Sequence, residues 1–246
     1  MSLKHFFFKT NFTYKLYLYY NLYIRHKCFL SRKQYSQWGE DLIIKEFFKG
    51  KKVGVYFDVG CFHPIMYSNT CALFKKGWRG VNIDINPTSV DLFNIARPND
   101  LNLCTTIDEN SKEFKIFFDH SFSPVNTLDE SFYKDFKKSY FEKFKKESFA
   151  SGIEKKIKSK TIDEILKMFE PYDKVDFLNI DVEGMDFKIL IQLIPLKLKP
   201  SLISVETHSP DGKKLRDCNE INQYLLGNNY AVFKRVGPTT LLRLNK

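Results

Sequence analysis

Apolar residues follow two rhythms along the chain. Short, nearly continuous runs occur in VGVYFDVG (53–60), WRGVNIDIN (78–86), DLNLCTTI (100–107), KEFKIFF (112–118), KVDFLNIDVEG (174–184) and PSLISVETH (200–208). Their β-branched and aromatic content and their length predict strands. Between them lie segments with apolar residues three and four apart: SQWGEDLIIKEFF (36–48), SNTCALFKKG (68–77), PTSVDLFNIARP (87–98), TIDEILKMF (161–169), MDFKILIQLI (185–194) and CNEINQYLLGN (218–228). These predict helices. Pro87 and Pro98 bracket one of them, Thr161 supplies a capping hydroxyl for another, and Gly227 stops the last. YAVFKRVG and TTLLRLN end the chain as a predicted hairpin. Alternating strands and helices of this length predict an α/β fold with a parallel, doubly wound sheet. The run 174–184 reads as a strand buried on both faces.

Two segments fall outside this alternation. Residues 128–160 place Phe132, Phe136, Tyr140 and Phe144 four apart, with lysines filling the other side. That pattern predicts an amphipathic helix ending near Gly152. It reads as a lid on the domain edge with a solvated lysine face, or else as a basic rim attracting an anionic substrate. Residues 1–33 are aromatic and basic. They read as a helix packed on the domain or on a second subunit, or as an interfacial anchor to anionic lipid. The organisation expected is therefore an N-terminal segment, 1–33, and one domain, 34–246, with an insert at 128–160.

Charge follows the same division. The chain of 246 residues has a net charge of +10. Residues 1–33 hold seven lysines and arginines and no acid, and the insert holds ten lysines against six acids, so the remainder is close to neutral. A nucleic-acid footprint around a site in the domain is thus not indicated. Hydrophobic residues, at 43%, are enough to bury a core and exclude global disorder. No apolar run reaches the roughly 18–20 residues of a membrane-spanning helix. The N-terminal apolar stretch is studded with Tyr and lacks a small-residue cleavage site, so it does not read as a secretory signal. Five cysteines without a CxxC pair form neither a disulfide framework nor a zinc ribbon. A cytoplasmic location, peripheral at a membrane face if the anchor reading holds, is the expectation.

In a doubly wound sheet, ligands sit beyond the C-terminal strand ends. Four predicted strands end in acids there: Asp58-Val59-Gly60, Asp84-Ile85-Asn86, Asp181-Val182-Glu183-Gly184 and Glu206-Thr207-His208. Like charges gathered at one edge suit a site that receives hydroxyls, an amine or a metal. Asp84 follows the Gly60 turn at a spacing suited to ribose hydroxyls. No GxGxxG and no Walker lysine accompany it, so a nucleoside without a phosphate chain fits better than a dinucleotide. Several of these residues also have an ordinary structural reading, and Asp84, taken alone, reads equally as an exposed loop acid. Glu183 to Asp186 can start a helix, His208 can cap or sit in the Ser209–Gly212 turn, and His120 reads as a surface residue. Cys61 has no His–Asn pattern to make it a nucleophile.

SQWGEDL, VYFDVGCFHPIMYSNT, GWRGVNIDINP, TIDEIL, DFLNIDVEGMDFKIL and PSLISVET follow one another in the order found in FkbM-type S-adenosylmethionine-dependent methyltransferases. The resemblance covers about residues 34–246 outside the insert. It implies a Rossmann-like, seven-stranded sheet with the last strand antiparallel. It also implies O-methylation of a sugar hydroxyl in surface-glycan or capsule biosynthesis, on a sugar nucleotide or a glycan. By the same resemblance, Asp58 and Gly60 shape the loop under the methionine part of the cofactor. Asp84 holds the ribose, Ile85 packs on the adenine, and Thr105 and Thr106 lie near the adenine edge. Gln37 and Asp41 close the pocket. Cys61-Phe62-His63-Pro64 departs from the small, Asn and Gly residues common after the first glycine, and places His63 close to the sulfonium.

For the reaction, Asp181, Glu206 and His208 are the candidates. Together they are expected to bind Mg²⁺ or Mn²⁺, or Asp181 or His208 serves as general base without metal. An RNA or protein methyltransferase, and a non-catalytic binding protein with the same fold, are the alternatives. NIDVEG in place of an NPPY-type run disfavours base N-methylation. A homodimer through the aromatic N-terminus is a further expectation.

Overall fold

The structure is a computed structural model that describes residues 10–148, 154–169, 174–193 and 199–245. Its elements follow the predicted alternation. β1 (Val55–Val59), α4 (Cys71–Lys75), β2 (Arg79–Asp84), α5 (Pro87–Ala96) and β3 (Leu101–Cys104) form the first half. α7 (Ile162–Met168), β6 (Phe177–Ile180), α8 (Asp186–Leu193), β7 (Leu202–Glu206), α9 (Cys218–Gly227), β8 (Tyr230–Val236) and β9 (Thr239–Leu244) form the second. The seven strands order as β3-β2-β1-β6-β7-β9-β8. The first five are parallel, and β9 runs antiparallel to both β7 and β8.

Strand alternation sends Phe57, Val59, Leu178, Ile180, Ile203 and Val205 into one core with Ile165 of α7 and Ile189 and Leu190 of α8. Tyr56, Phe177, Leu202 and Leu241 face the other core, where Trp78 and Ile44 are fully buried. Ile44 belongs to α3 (Glu40–Phe47), which covers this second face. Thr161 and Glu164 form the reciprocal cap of α7, as their spacing predicts.

A polar row crosses the middle of the sheet. Asp58 stands between Asn82 on β2 and Asn179 on β6, and Asn179 stands beside Ser204 on β7. All four are buried. Arg97, also fully buried, donates to Thr70 Oγ1 at 2.9 Å and to the Pro64 carbonyl at 2.7 Å. Thr70 in turn donates to Asp58 Oδ2 at 2.6 Å. This chain of bonds ties the loop after β1 to the sheet edge beneath the site.

The N-terminal segment forms α1 (Asn11–Tyr20), a π-helical turn (Asn21–Arg25) and α2 (Lys27–Leu30). Leu18, Leu22 and Phe29 pack against Ile65 and Leu92, and the Tyr14 hydroxyl donates to Asp91 at 2.7 Å. The reading of a helix laid on the domain therefore matches the inner face of this segment.

The insert differs from expectation in two ways. Its helix, α6 (Glu130–Phe144), stops at Lys145, whose left-handed backbone (φ 53°) ends the turn pattern. Gly152 lies outside the described residues. No α6 residue is buried; along its stripe Phe132, Phe136 and Tyr140 have successive ring centroids 5.9 Å apart, and Tyr133 stacks on Phe117 at 4.6 Å. The tail of the insert is β5 (Glu154–Lys158), paired antiparallel with β4 (Glu113–Phe117) in a separate two-stranded sheet. The KEFKIFF run thus belongs to this flap and not to the central sheet.

Candidate functional site

The strand order reverses between β1 and β6, since β1 continues to β2 on one side while β6 continues to β7 on the other. A crevice opens at such a switch point beyond the strand ends. Here it has two adjoining lobes of about 540 and 750 Å³. Gly60, Phe62, Pro124, Asp181 and Glu183 line both.

Gly60 is required at the junction. Its φ is +80°, and a Cβ there would stand 1.7 Å from the Asp181 carbonyl oxygen. Only glycine lets the ends of β1 and β6 approach this closely. The chain then passes through Phe62, whose left-handed φ of 50° aims its amide at Asp84. That amide donates to Asp84 Oδ2 at 2.8 Å, and the Asn86 amide donates to Oδ1 at 2.7 Å. Two backbone donors thus fix the carboxylate plane. Burial still pushes Asp84 up to about 6, against the lowering effect of the two amides.

The first lobe is walled by Ile83, Ile85, Leu128 and Met185, with Asp84, Thr105 and Thr106 along its edge. Ile85 also packs on Ile116 and Phe118 behind it. Thr105 Oγ1 donates to the Lys158 carbonyl at 2.8 Å, which joins the two-stranded flap to the lobe. An apolar slot with one fixed carboxylate at its edge fits an adenosine: rings between aliphatic walls, ribose hydroxyls donating to the acid.

The second lobe is polar. Gln37, Trp38 and Glu40 line it from the SQWGED turn, Tyr67 and Asn69 from the loop after β1, and Asp58, Asn179 and Glu206 from the sheet. Asn69 Nδ2 donates to Asn179 Oδ1 at 3.0 Å, and Asn179 Nδ2 donates to Asp58 Oδ1 at 2.9 Å. Both Asp58 oxygens are therefore committed to Thr70 and Asn179, and the residue organises the floor. Glu40 accepts from the Trp38 amide and from Thr239 Oγ1.

Asp58, Asp84 and Glu40 each accept hydrogen bonds, whereas the carboxylates of Asp181, Glu183 and Glu206 have neither a hydrogen-bond donor nor a cation beside them among the described residues. All three carboxyls are raised above the usual carboxylate range, first by enclosure in the cleft and then by neighbouring acids: Asp186 acts on all three, Asp181 on Glu183 and Glu206, and Asp58 on Asp181. Asp181 nevertheless stays open to the solvent filling the cleft. Neither lobe contains a lysine or arginine among its lining residues. The cleft is therefore shaped for a cation together with hydroxyl donors. Glu183 is held at a left-handed φ of 51°, with its carbonyl accepting from Thr127 Oγ1 at 2.7 Å. Strained backbone at Phe62 and Glu183 lies on the two sides of the same crevice.

The remaining sequence candidates are placed elsewhere. Asp41 is fully buried behind the SQWGED turn, where it accepts from the Tyr35 amide and the Ser36 hydroxyl, so it braces the pocket wall without reaching the cavity. His63 does not lie by the cleft. Its Nδ1 accepts from the Ile65 and Met66 amides at 3.1 and 2.9 Å, so the proton sits on Nε2, which donates to Asn21 Oδ1 at 3.0 Å. Burial lowers it to about 3, and the ring is a neutral staple between the motif loop and the N-terminal segment.

His208 also lies outside both lobes. Its Nδ1 bonds Thr207 Oγ1 at 2.8 Å, and Thr207 bonds Thr240 at 2.6 Å, so the imidazole is held against β9. Asp181 and Glu206 line one cavity; His208 does not join them, and among the described residues no group of three His, Cys, Asp or Glu side chains is placed to hold a metal ion.

Several lining residues were not singled out from the sequence. Glu40 sits inside the quoted SQWGED motif, one position from Asp41, and helix phase separates the two: one faces the cavity, the other the core. Asn179 is an inward residue of a strand read as apolar. Leu128, at the start of the insert, closes the adenosine-shaped lobe.

A doubly wound sheet with an antiparallel seventh strand, its crevice at the β1–β6 switch point and an acid ending β2, defines a Rossmann-like methyltransferase. The family model described as Methyltransferase FkbM domain matches residues 52–232, and the chain belongs to that methyltransferase family. The family implies S-adenosylmethionine as the methyl donor. No curated protein and no solved structure matches the chain.

Proposed function

We propose that the protein is an S-adenosylmethionine-dependent O-methyltransferase acting on a sugar hydroxyl of a surface glycan. The observation that carries this reading is the two-lobed cleft: an adenosine-shaped slot beside a cavity lined by unpaired carboxylates and no basic side chain. S-adenosylmethionine, when bound, supplies a methyl group made electrophilic by its sulfonium. Asp84 holds the ribose, Ile85, Leu128 and Met185 pack on the adenine, and Asp181, Glu183 and Glu206 face the cationic end.

In the second lobe, Trp38 and Tyr67 are 44% and 46% exposed. They offer flat apolar faces for the C–H side of a sugar ring, while Gln37 and Asn69 offer amides for its hydroxyls. A cavity without lysine or arginine disfavours a diphosphate inside it, so a glycan acceptor is preferred to a sugar nucleotide. Asp181, at the end of the strand beside Gly60, accepts the acceptor hydroxyl proton. Its elevated pKa brings it closer to the matched range for a base working near neutral pH. Alignment of the hydroxyl with the methyl group is the main contribution of the walls.

The test is incubation with S-adenosylmethionine and either oligosaccharide or sugar-nucleotide acceptors, followed by mass spectrometry. Methylated oligosaccharide and release of S-adenosylhomocysteine support the reading. Methyl transfer to protein or RNA, with none to any saccharide, overturns it.

A further inference from the structure

α1 and the π-helical turn after it have two apolar faces. The inner one, with Tyr17, Leu18 and Leu22, is buried against the domain. The outer one carries Phe12, Leu16, Tyr19, Tyr20, Tyr23 and Ile24, each between 42% and 70% exposed. Those positions recur at helical spacing, so they form one continuous stripe and not scattered singles. Four of the six are aromatic, three of them tyrosines. A solvated helix face of a folded domain is ordinarily polar; a contiguous exposed apolar stripe marks a surface that is covered by something.

Charge identifies the occupant. Lys15, Arg25 and Lys27 are exposed along the same segment. None of them has an acidic partner among the described residues. Residues 1–33 contain no acid at all. A second copy meeting this stripe about a two-fold axis would set those cations against their own counterparts. A partner must therefore combine an apolar depth with anionic charge at its surface. Anionic bilayers have that structure: acyl chains for Leu16, Ile24 and Phe12, a headgroup layer for tyrosine rings, and phosphates for lysine and arginine. α1 spans 10 residues, and no helix among the described residues is long and apolar enough to cross a membrane. The segment would lie in the interface plane.

We propose that the outer face of residues 12–27 docks the protein on anionic lipid bilayers, while the inner face keeps it seated on the methyltransferase domain. The proposal does not depend on the acceptor or on the methyl donor.

The experiment is co-sedimentation of the full chain with phosphatidylcholine vesicles and with vesicles containing equal phosphatidylglycerol, at low and high salt. The expected result is binding to the anionic vesicles only, weakened strongly by salt. L16S/Y23S/I24S is expected to lower the bound fraction about tenfold or more, from three lost apolar insertions. Thermal unfolding of this variant, expected close to wild type, shows that the loss is not misfolding. L16N/I24N, which keeps the charge and removes apolar depth, serves if the first variant unfolds. No binding to anionic vesicles at low salt overturns the proposal. So does equal binding by wild type and a folded stripe variant, or a wild-type dimer that the stripe variant converts to monomer without any vesicle binding.

Discussion

Asn179 Nδ2 donates to Asp58 Oδ1 at 2.9 Å, joining β1 and β6 at the point where the strand order reverses. The bond lies beneath the crevice and links its two halves. With Thr70 on the other oxygen, it satisfies a carboxylate that burial alone would raise. Asn179→Leu leaves that buried acid without one of its partners and should cost about 3 kcal/mol of stability. Urea unfolding measures it. A loss under about 1 kcal/mol would mean that Asp58 is held by other means.

Gly60 tolerates no side chain, because a Cβ would overlap the Asp181 carbonyl and the φ of +80° is strained for any L residue. Gly60→Ala should destabilise the fold by at least about 2 kcal/mol and lower cofactor-product affinity in whatever folds. Wild-type melting and wild-type affinity together would show that the strand ends are not packed this closely.

Asp84 gives a pH prediction. Burial holds its carboxyl at about 6, and ribose hydroxyls need the ionised form as acceptor. Affinity for S-adenosylhomocysteine should thus be full well above pH 6 and fall as pH drops through 6, by up to about tenfold per unit. Asp84→Asn should lose about tenfold or more at pH 8, the worth of a charge-assisted bond, and flatten the profile. An unchanged profile in that variant would assign the titration to another group.

The unpaired acids predict an unusual stability profile. Asp181, Glu183 and Glu206 are raised in the folded state, so between the ordinary carboxylate pKa near 4 and their folded values the native state binds more protons than the unfolded one. Stability then falls as pH rises through that window. The ligand-free protein should melt higher at pH 6 than at pH 8. Glu206→Gln should raise the melting temperature at pH 8 and do little at pH 5. A wild-type melting temperature that rises steadily from pH 6 to pH 8 would remove the repulsion from the account.

The fold was largely legible because buried parallel strands are long apolar runs and their connecting helices carry caps, as Thr161 and Glu164 do. The strand-end acids were legible for the same reason, since topology brings strand ends together whatever the sequence distance. The facing of a side chain was not. Asp41 and Glu40 are neighbours in one motif, yet only the second reaches the cavity. His63 follows the motif glycine closely but turns towards Asn21 in the π-helical turn, and although a packed N-terminal helix was expected, nothing in the local pattern pairs these two residues. His208 follows Glu206 by two residues, but Thr207 and Thr240 hold its ring against the antiparallel strand. KEFKIFF has the composition of a core strand. Its pairing with 154–158 was hidden because that partner is lysine-rich and short of apolar residues.

The central claim is that the β1–β6 crevice holds S-adenosylmethionine through Asp84. Calorimetric titration of S-adenosylhomocysteine into the wild-type protein and into Asp84→Asn at pH 8 tests it most directly. The account predicts one site with a dissociation constant below about 100 μM for the wild type, and about tenfold or more weaker binding for the variant. No heat from the wild type, or equal affinity in both proteins, would contradict it.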